Sequence, residues 1–219
     1  MNRTPIESVQ ALEGTPGIEA HFIGRIPGLS ISVERSEAMA LLAPQHHRIL
    51  QQSGLENFPL VTAEQIHGKE IAIVTGATTS AIQGVDALIT CTRALTLGIY
   101  VADCAPVWIV ARDGSAGALV HAGKKGTELG IVPLVIEKLL KITELDSQDL
   151  IVVIGPCIRP PCYEIDFAAR IREQARACGV LDIHDPEICT ACHPELYYSY
   201  RSEKGLTGRM LATLTLLPS

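Results

Sequence analysis

Val101-Ala102-Asp103-Cys104-Ala105-Pro106-Val107-Trp108-Ile109-Val110-Ala111 and, a short turn later, Ala116-Gly117-Ala118-Leu119-Val120-His121-Ala122-Gly123-Lys124-Lys125-Gly126-Thr127 form the stretch whose reading decides the fold. Two apolar runs each meet a chemically competent side chain: Leu95 to Val101 runs into Asp103 and Cys104, and Ala116 to Val120 runs into His121. Runs of this length and composition read as buried strands. A strand that stops at a reactive residue, followed by a glycine-punctuated turn and an amphipathic stretch, sets chemistry at a sheet edge. His67, in Glu64-Gln65-Ile66-His67-Gly68, is a third candidate of the same kind. The expectation is that His67, Cys104 and His121 converge on one site.

Working outward, Ala20 to Ile23 and Leu29 to Val33 read as short strands around the Ile26-Pro27-Gly28 turn, behind a loose lead-in over residues 1–19. Glu34 to Ser53 carries apolar residues at helical spacing, with Pro44 expected to break it into two short helices and Gly54 to stop it. Leu60 to Ala63, Glu70 to Val74, Asp86 to Thr90, Val107 to Ala111 and Leu150 to Ile154 read as strands. Glu128 to Lys141 presents a helical apolar face, with Pro133 in its first turns, and a second helix is expected over Phe167 to Cys178. Residues 179–195 read mostly as loop, and Tyr197 to Arg201 and Met210 to Leu217 as closing strands. Strands occur both in consecutive groups and alternating with helices. This predicts an α+β chain, a mixed α/β sandwich, folded as a single compact domain over 1–219.

Composition narrows the function classes. The 219 residues are 47% hydrophobic and 19% charged, which suits one ordered domain with a substantial core. A formal net charge of -6 argues against a nucleic-acid partner. No apolar run reaches the length of a membrane span, and Met1-Asn2-Arg3-Thr4-Pro5 offers no signal-peptide core. Seven cysteines, an odd number, then suggest free thiols in a reducing cytoplasm rather than a disulfide framework.

One thiol and two imidazoles are a donor set suited to zinc with a fourth position open, and zinc lowers the pKa of bound water to about 7. Taken singly, each of these residues is better read as an ordinary core or turn residue. What raises the combination is that all three stand beside strand ends and small neighbours (Gly68, Ala102, Ala122, Gly123) that permit close approach. Spacing alone does not separate a metal site from a Cys-His nucleophile pair. Asp86 and Asp103 are candidate acid/base or orienting carboxylates, with turn capping as the plainer reading. Gly123 to Thr127 could present backbone N–H groups and a lysine to a phosphate, or be a solvated turn capped at Thr127; it lacks P-loop spacing. Arg201 could clamp an anion, or be a surface charge. Cys189-Thr190-Ala191-Cys192-His193 matches the haem c attachment pattern, but covalent haem requires export, so the reading is a coincidental pair of thiols without further ligands.

Together these segments resemble the YfiH-like family, known also as laccase-domain or polyphenol-oxidase proteins and as multifunctional purine nucleoside phosphorylases. The resemblance is carried by Gln65-Ile66-His67-Gly68, Val85-Asp86-Ala87-Leu88-Ile89-Thr90, Ala102-Asp103-Cys104-Ala105-Pro106-Val107 and Val120-His121-Ala122-Gly123. It continues in order through Ile154-Gly155-Pro156-Cys157-Ile158, Cys162-Tyr163-Glu164-Ile165, Cys189-Thr190, Tyr198-Ser199-Tyr200-Arg201 and Thr207-Gly208-Arg209-Met210. It implies zinc on His67, Cys104 and His121, with copper the less favoured ion, and the compact mixed sandwich. It also implies purine nucleoside chemistry: phosphorolysis of adenosine or inosine, and deamination of adenosine. Cys104, His121, His67 and Asp103 are then the catalytic candidates. Lys125, Arg201, Arg25 and Asp86 are the candidates for binding nucleoside and phosphate.

Departures from the family pattern fall around the substrate. The family continues His-Ala-Gly with Trp-Arg-Gly, where this chain has Lys124-Lys125-Gly126, and its Ser-Tyr-Arg-Arg becomes Ser199-Tyr200-Arg201-Ser202. The N-terminal region survives as Phe22-Ile23-Gly24-Arg25. Competing expectations are a Cys-His hydrolase or amidase with Cys104 as nucleophile, and a degenerate metal-binding paralogue without turnover. A copper phenol oxidase ranks lowest, because seven histidines, with no His-x-His pair, cannot supply a multicopper array. Oligomeric state is left open.

Overall fold

The structure is a computed structural model that describes residues 5–218. In chain order the elements are β1 (Ile6–Ser8), β2 (Ile18–Ile23), α1 (Arg35–Gln52), β3 (Leu60–Thr62), β4 (Ile71–Ile73) and β5 (Ala87–Thr90). There follow β6 (Leu95–Val101), β7 (Ala105–Ala111), β8 (Gly117–Ala122), α2 (Lys124–Glu128) and α3 (Ile131–Thr143). The chain closes with β9 (Leu150–Ile154), α4 (Phe167–Ala177), β10 (Asp182–His184) and β11 (Met210–Leu216).

The strands form two mixed sheets, one ordered β1-β2-β11-β6-β3 and the other β10-β9-β7-β8-β5-β4. Period-two alternation explains how they stack. Along β7 and β8, Trp108, Val110 and Leu119 join the core between the sheets, with Leu95, Leu97, Ile99, Leu214 and Leu216 opposite. Their neighbours Val107, Ile109, Ala118 and Val120 point the other way, against Ile131, Val135, Ile136 and Leu139 of α3 and Phe167 and Ile171 of α4. The second sheet is therefore apolar on both faces, which is why its strands read as continuous hydrophobic runs. At Gly117 a Cβ would stand 2.7 Å from the Leu214 side chain, so glycine lets the sheets close. The buried Trp108 indole spans the gap and donates to the Thr213 carbonyl at 2.9 Å.

The mixed sandwich expected from the sequence is the observed architecture, and β6 and β9 have the expected bounds. Several local expectations are corrected. Pro44 lies inside the continuous helix α1. Its missing N–H costs one bond, but Ala38 and Leu42 before it and Ile49 and Leu50 after it bury in the same core, and that packing outweighs the break. Residues 29–33 and 197–201 are unpaired in any sheet. Tyr197 and Tyr198 are nonetheless buried, their side chains filling the core from a loop. Gly130, at φ 74°, ends the turn after α2, so the long helix starts at Ile131 rather than Glu128. β1 and part of β2 lie within what reads as a loose lead-in, of which residues 1–4 fall outside the described part. β10 and a 3-10 turn over Thr190–Cys192 lie within the expected loop of 179–195.

His46, on α1, is 1% exposed, with both ring nitrogens unpartnered among the described residues. Burial pushes its pKa down from 6.5 to about 4. The folded chain keeps this ring neutral while the unfolded chain takes up a proton below pH 6.5, so the stability in question is full above pH 6.5 and is lost as the pH falls toward 4. His46→Leu should remove that loss. Denaturant midpoints at pH 7 and pH 5 should show the native protein losing about 2 kcal/mol more than the variant.

Candidate functional site

The register of β7 against β8 pairs Ala105 with Ala122 and Pro106 with His121. It brings the Asp103-Cys104 turn at the start of β7 beside the His121-Ala122-Gly123 end of β8. Gly123 is required there: a Cβ would stand 2.6 Å from the Cys104 sulfur and 3.7 Å from the His67 ring. Its φ of -88° is open to any residue, so the constraint is space alone.

His67 arrives from the loop before β4, and Asp86, just ahead of β5, holds it there. The fully buried Asp86 carboxylate accepts the His67 amide at 2.9 Å, the Gly68 amide at 2.7 Å and the Ile66 amide at 3.2 Å. It also contacts His121 Nδ1 at 2.7 Å. Where His121 is neutral, an Nδ1–H donated to the carboxylate leaves its Nε2 free on the side of the cluster, and an ion there would take the place of the ring's second proton. The His67 and His121 rings meet edge to face with centroids 4.8 Å apart. One ligating atom from each of His67, Cys104 and His121 lies within 4.8 Å of the others.

Charge follows from this placement. Burial opposes ionisation of the Cys104 thiol, but the His121 and His67 imidazoles beside it outweigh burial and bring it down to about 6. Burial likewise opposes charge on His121, and the Cys104 thiolate and Asp86 overcome it, raising His121 to about 9. Asp86 is held below the usual carboxylate range, burial being outweighed by His121 and the Gly68 and His67 amides. The cluster is a thiolate between two imidazoles, oriented from beneath by a carboxylate. That donor set fits a zinc-type ion with an open position, and equally a nucleophile with its base.

Asp103 has φ 82°, and Gln65 and His67 have φ of 65° and 60°. Three non-glycine residues in the left-handed region at one site are strained positions held by their surroundings. Asp103 is held through its carbonyl, which accepts the Ile158 amide at 2.9 Å. Its carboxylate accepts Thr190 Oγ1 at 2.6 Å, Ser199 Oγ at 3.1 Å and the Arg201 amide at 2.7 Å. The Gln65 side chain brackets Tyr100, accepting its amide at 2.9 Å and donating to its carbonyl.

The cluster opens into a cleft of about 650 Å³. Arg35, Lys124, Lys125, Arg201 and Arg209 supply positive charge around it, and Tyr100, Tyr163, Phe167 and Tyr200 supply rings. Arg201 stacks its guanidinium 4.8 Å from the Tyr163 ring and pairs with Glu164 at 2.9 Å. Arg35 donates to the Glu64 carbonyl at 2.8 Å. Lys124 and Lys125 are exposed and make no ion pair among the described residues. The stretch over Lys124–Glu128 is itself a short helix, with Gly123 rather than Thr127 at its cap position.

The structure thus gathers His67, Cys104 and His121, and sets Asp103, Lys125 and Arg201 around the same cleft. Two expected substrate contacts are placed elsewhere. Asp86 lies beneath the cluster, its oxygens occupied. Arg25 lies away from the cleft, where it pairs with Glu203 at 2.9 Å, donates to the Tyr197 carbonyl and covers the Tyr198 ring at 4.3 Å. Its charge holds the loop after Tyr197. Sequence reasoning passed over Arg35, Gln65, Arg209 and Tyr163 as site residues. Arg209 and Gln65 stand in motifs already singled out, whereas Arg35 reads as the exposed start of a helix.

Comparison with known proteins places this geometry. A family model described as multi-copper polyphenol oxidoreductase laccase matches residues 24–170 and 164–217. Purine nucleoside phosphorylase YlmD of Geobacillus stearothermophilus is 33% identical, the match covering 71% of this chain and 72% of that protein. Purine nucleoside phosphorylase ORF3 of Streptomyces griseus is 26% identical over 78% of this chain and 80% of its own. The crystal structure of YlmD from Geobacillus stearothermophilus superposes with a TM-score of 0.81 at 26% identity, covering 93% of each chain. The Bacillus licheniformis hypothetical protein YfiH superposes with a TM-score of 0.85 at 21% identity, covering 98% of this chain and 97% of that one, and shares the fold.

If Asp86 organises the cluster, Asp86→Ala should free the amides of residues 66–68. Hydrogen exchange there should rise about tenfold or more, the loss of a buried acceptor being about 1–3 kcal/mol. Amides inside β7 and β8 should remain protected. A uniform rise across the chain would show instead that the carboxylate serves global stability alone.

Proposed function

Since the chain belongs to the YfiH-like, or multi-copper polyphenol oxidoreductase laccase, family, we propose that it is a zinc-dependent enzyme of purine nucleosides. Its reactions in this reading are phosphorolysis of adenosine or inosine and hydrolytic deamination of adenosine. Relatives named purine nucleoside phosphorylase, at 26–33% identity, support purine nucleoside processing within the family. The observation that carries the reading to this chain is the His67-Cys104-His121 cluster at the end of a cleft walled by both rings and cations.

His67, Cys104 and His121 would hold the ion. When bound, zinc supplies a Lewis acid that lowers the pKa of water to about 7. The chain's own groups do the rest. Asp86 fixes the His121 tautomer by taking its Nδ1–H and stations His67 through the 66–68 amides. Tyr163, Phe167 and Tyr200 offer faces on which a purine stacks. Lys124, Lys125, Arg201 and Arg209 line the same cleft and offset the charge of phosphate. Asp103 accepts the Arg201 amide and so positions that arginine, its oxygens being taken up by neutral donors. Among the described residues one histidine-containing cluster is present, too few imidazoles for a multicopper oxidase array.

A second reading has its own observation. Cys104 brought down to about 6, beside His121 and Asp86, is a nucleophile, a base and an orienting carboxylate. Metal content separates the two: Cys104→Ala should lose both zinc from this site and turnover, whereas a nucleophile would be lost without loss of metal.

Lys125 offers phosphate a point charge without the paired hydrogen bonds of an arginine. Lys125→Ala should lower phosphate-dependent cleavage of inosine roughly tenfold in kcat/KM, the cost of one charged hydrogen bond. Adenosine deamination, which uses water, should change little. Lys125→Arg should raise the phosphate-dependent reaction. The assay reads hypoxanthine, adenine and inosine separately with and without phosphate. Phosphate-dependent cleavage undiminished by Lys125→Ala would place the anion elsewhere.

A further inference from the structure

Cys162, Cys189 and Cys192 lie outside the cluster just described and take no part in its chemistry. Cys189 and Cys192 sit on one short turn, and Cys162 comes from the loop between β9 and α4. The fold brings them together: one sulfur from each lies within 4.8 Å of the others, and Cys162 and Cys192 are 3.4 Å apart. Cys162 is the partner that the Cys-x-x-Cys pair lacks in the sequence.

The two segments are joined beneath the sulfurs. Cys157 and Cys189 form a parallel bridge, with the Cys157 amide donating to Ile188 at 3.2 Å and the Thr190 amide to Cys157 at 3.1 Å. This backbone pairing presets the sulfur positions before anything binds, which is the preorganisation a ligand site needs. Burial grades across the group, with Cys189 buried, Cys162 half-buried and Cys192 exposed, so the sulfurs face solvent on one side. No bond between them closes the group: all seven cysteines are free.

We propose that Cys162, Cys189 and Cys192 form a second metal site, for a thiophilic closed-shell cation, zinc or copper(I). Two sulfurs bound to one zinc at 2.3 Å in tetrahedral geometry stand about 3.8 Å apart, so the present spacing closes onto an ion by side-chain movement alone. Three thiolates this near one another repel without a cation, and the ion relieves that repulsion. An exposed edge leaves the fourth position to solvent for zinc, whereas copper(I) is satisfied by three thiolates. The ion would tie together two segments that flank the cleft: Tyr163 follows Cys162, and Thr190, next to Cys189, donates to Asp103 at 2.6 Å. The site therefore braces the loops that carry one wall of the cleft, independently of what that cleft acts on.

The test is metal stoichiometry on the full chain, reduced, stripped with chelator and repurified. Titrated with zinc against a chromophoric chelator, the native protein should take up about two ions, and Cys104→Ala and the double variant Cys162→Ser/Cys192→Ser about one each. The combination of all three substitutions should take up none. In the Cys104→Ala background, zinc at a hundredfold excess over Kd should raise the melting temperature by about 5 °C or more. That gain should vanish with the added serines. Copper(I) reads the same thiolates: uptake of about one ion by Cys104→Ala that the added serines abolish supports the site, and uptake unchanged by the serines overturns it. Equal uptake by the native protein and Cys162→Ser/Cys192→Ser would overturn it. So would absence of a zinc-dependent melting shift in Cys104→Ala, whether or not the freshly isolated chain carries a disulfide.

Discussion

A buried carboxylate cannot stay charged without partners, and Asp86 meets that demand by drawing the site together around itself. Its two oxygens receive the amides of Ile66, His67 and Gly68 and the Nδ1 of His121. These donors come from two segments far apart in sequence, and satisfying the one charge fixes both. The His67 backbone takes a left-handed conformation and His121 turns its Nε2 toward Cys104. The sandwich exists to make this juxtaposition rigid: β5, β7 and β8 are adjacent strands, and their ends are the ends that carry the chemistry. Gly123 then leaves the room that the Cys104 sulfur occupies.

Above that base, the chain separates two tasks. Backbone pairing, hydrogen bonds to buried carboxylates and the Arg25–Glu203 pair set the loops, while Lys124 and Lys125 turn their charge to the cleft. Asp103 shows the first, its carboxylate spent on Thr190, Ser199 and the Arg201 amide. Lys124 and Lys125 show the second, exposed at the start of α2 on a chain whose net charge is -6. In the proposed function, that local positive charge on an acidic protein offsets the charge of phosphate. In the same proposal, a lysine at position 125 would hold an anion by a point charge, apart from the residues that would hold the ion.

Much of this was legible in the sequence because the second sheet is buried on both faces. Ala116–Val120 and Leu150–Ile154 are continuous apolar runs of that sheet, and His121 stands where the first of them stops; Leu95–Val101, in the other sheet, alternates and stops just ahead of Asp103 and Cys104. What escaped was tertiary in origin. Pro44 lies within one helix because the core on either side of it outweighs a missing N–H. Tyr197 and Tyr198 look strand-like but fill the core from a loop. Arg25 carries the composition of an anion clamp, and only the fold shows that Glu203 already holds it. Cys162 is separated from Cys189 and Cys192 by a helix and a strand, so no local pattern could have joined them. Arg35 gave no signal at all, since a helix-start arginine is ordinarily a solvated one.

The proposed function requires one ion between His67, Cys104 and His121, in an orientation that Asp86 dictates. Crystals of zinc-loaded protein, measured on both sides of the zinc absorption edge, test it most directly. The expected result is an anomalous peak about 2.3 Å from the Cys104 sulfur and about 2.0–2.1 Å from an imidazole nitrogen of His67 and from His121 Nε2. In the same map His121 Nδ1 should remain on Asp86. A site without a peak, or an ion bound through His121 Nδ1 with Asp86 released, would contradict the account.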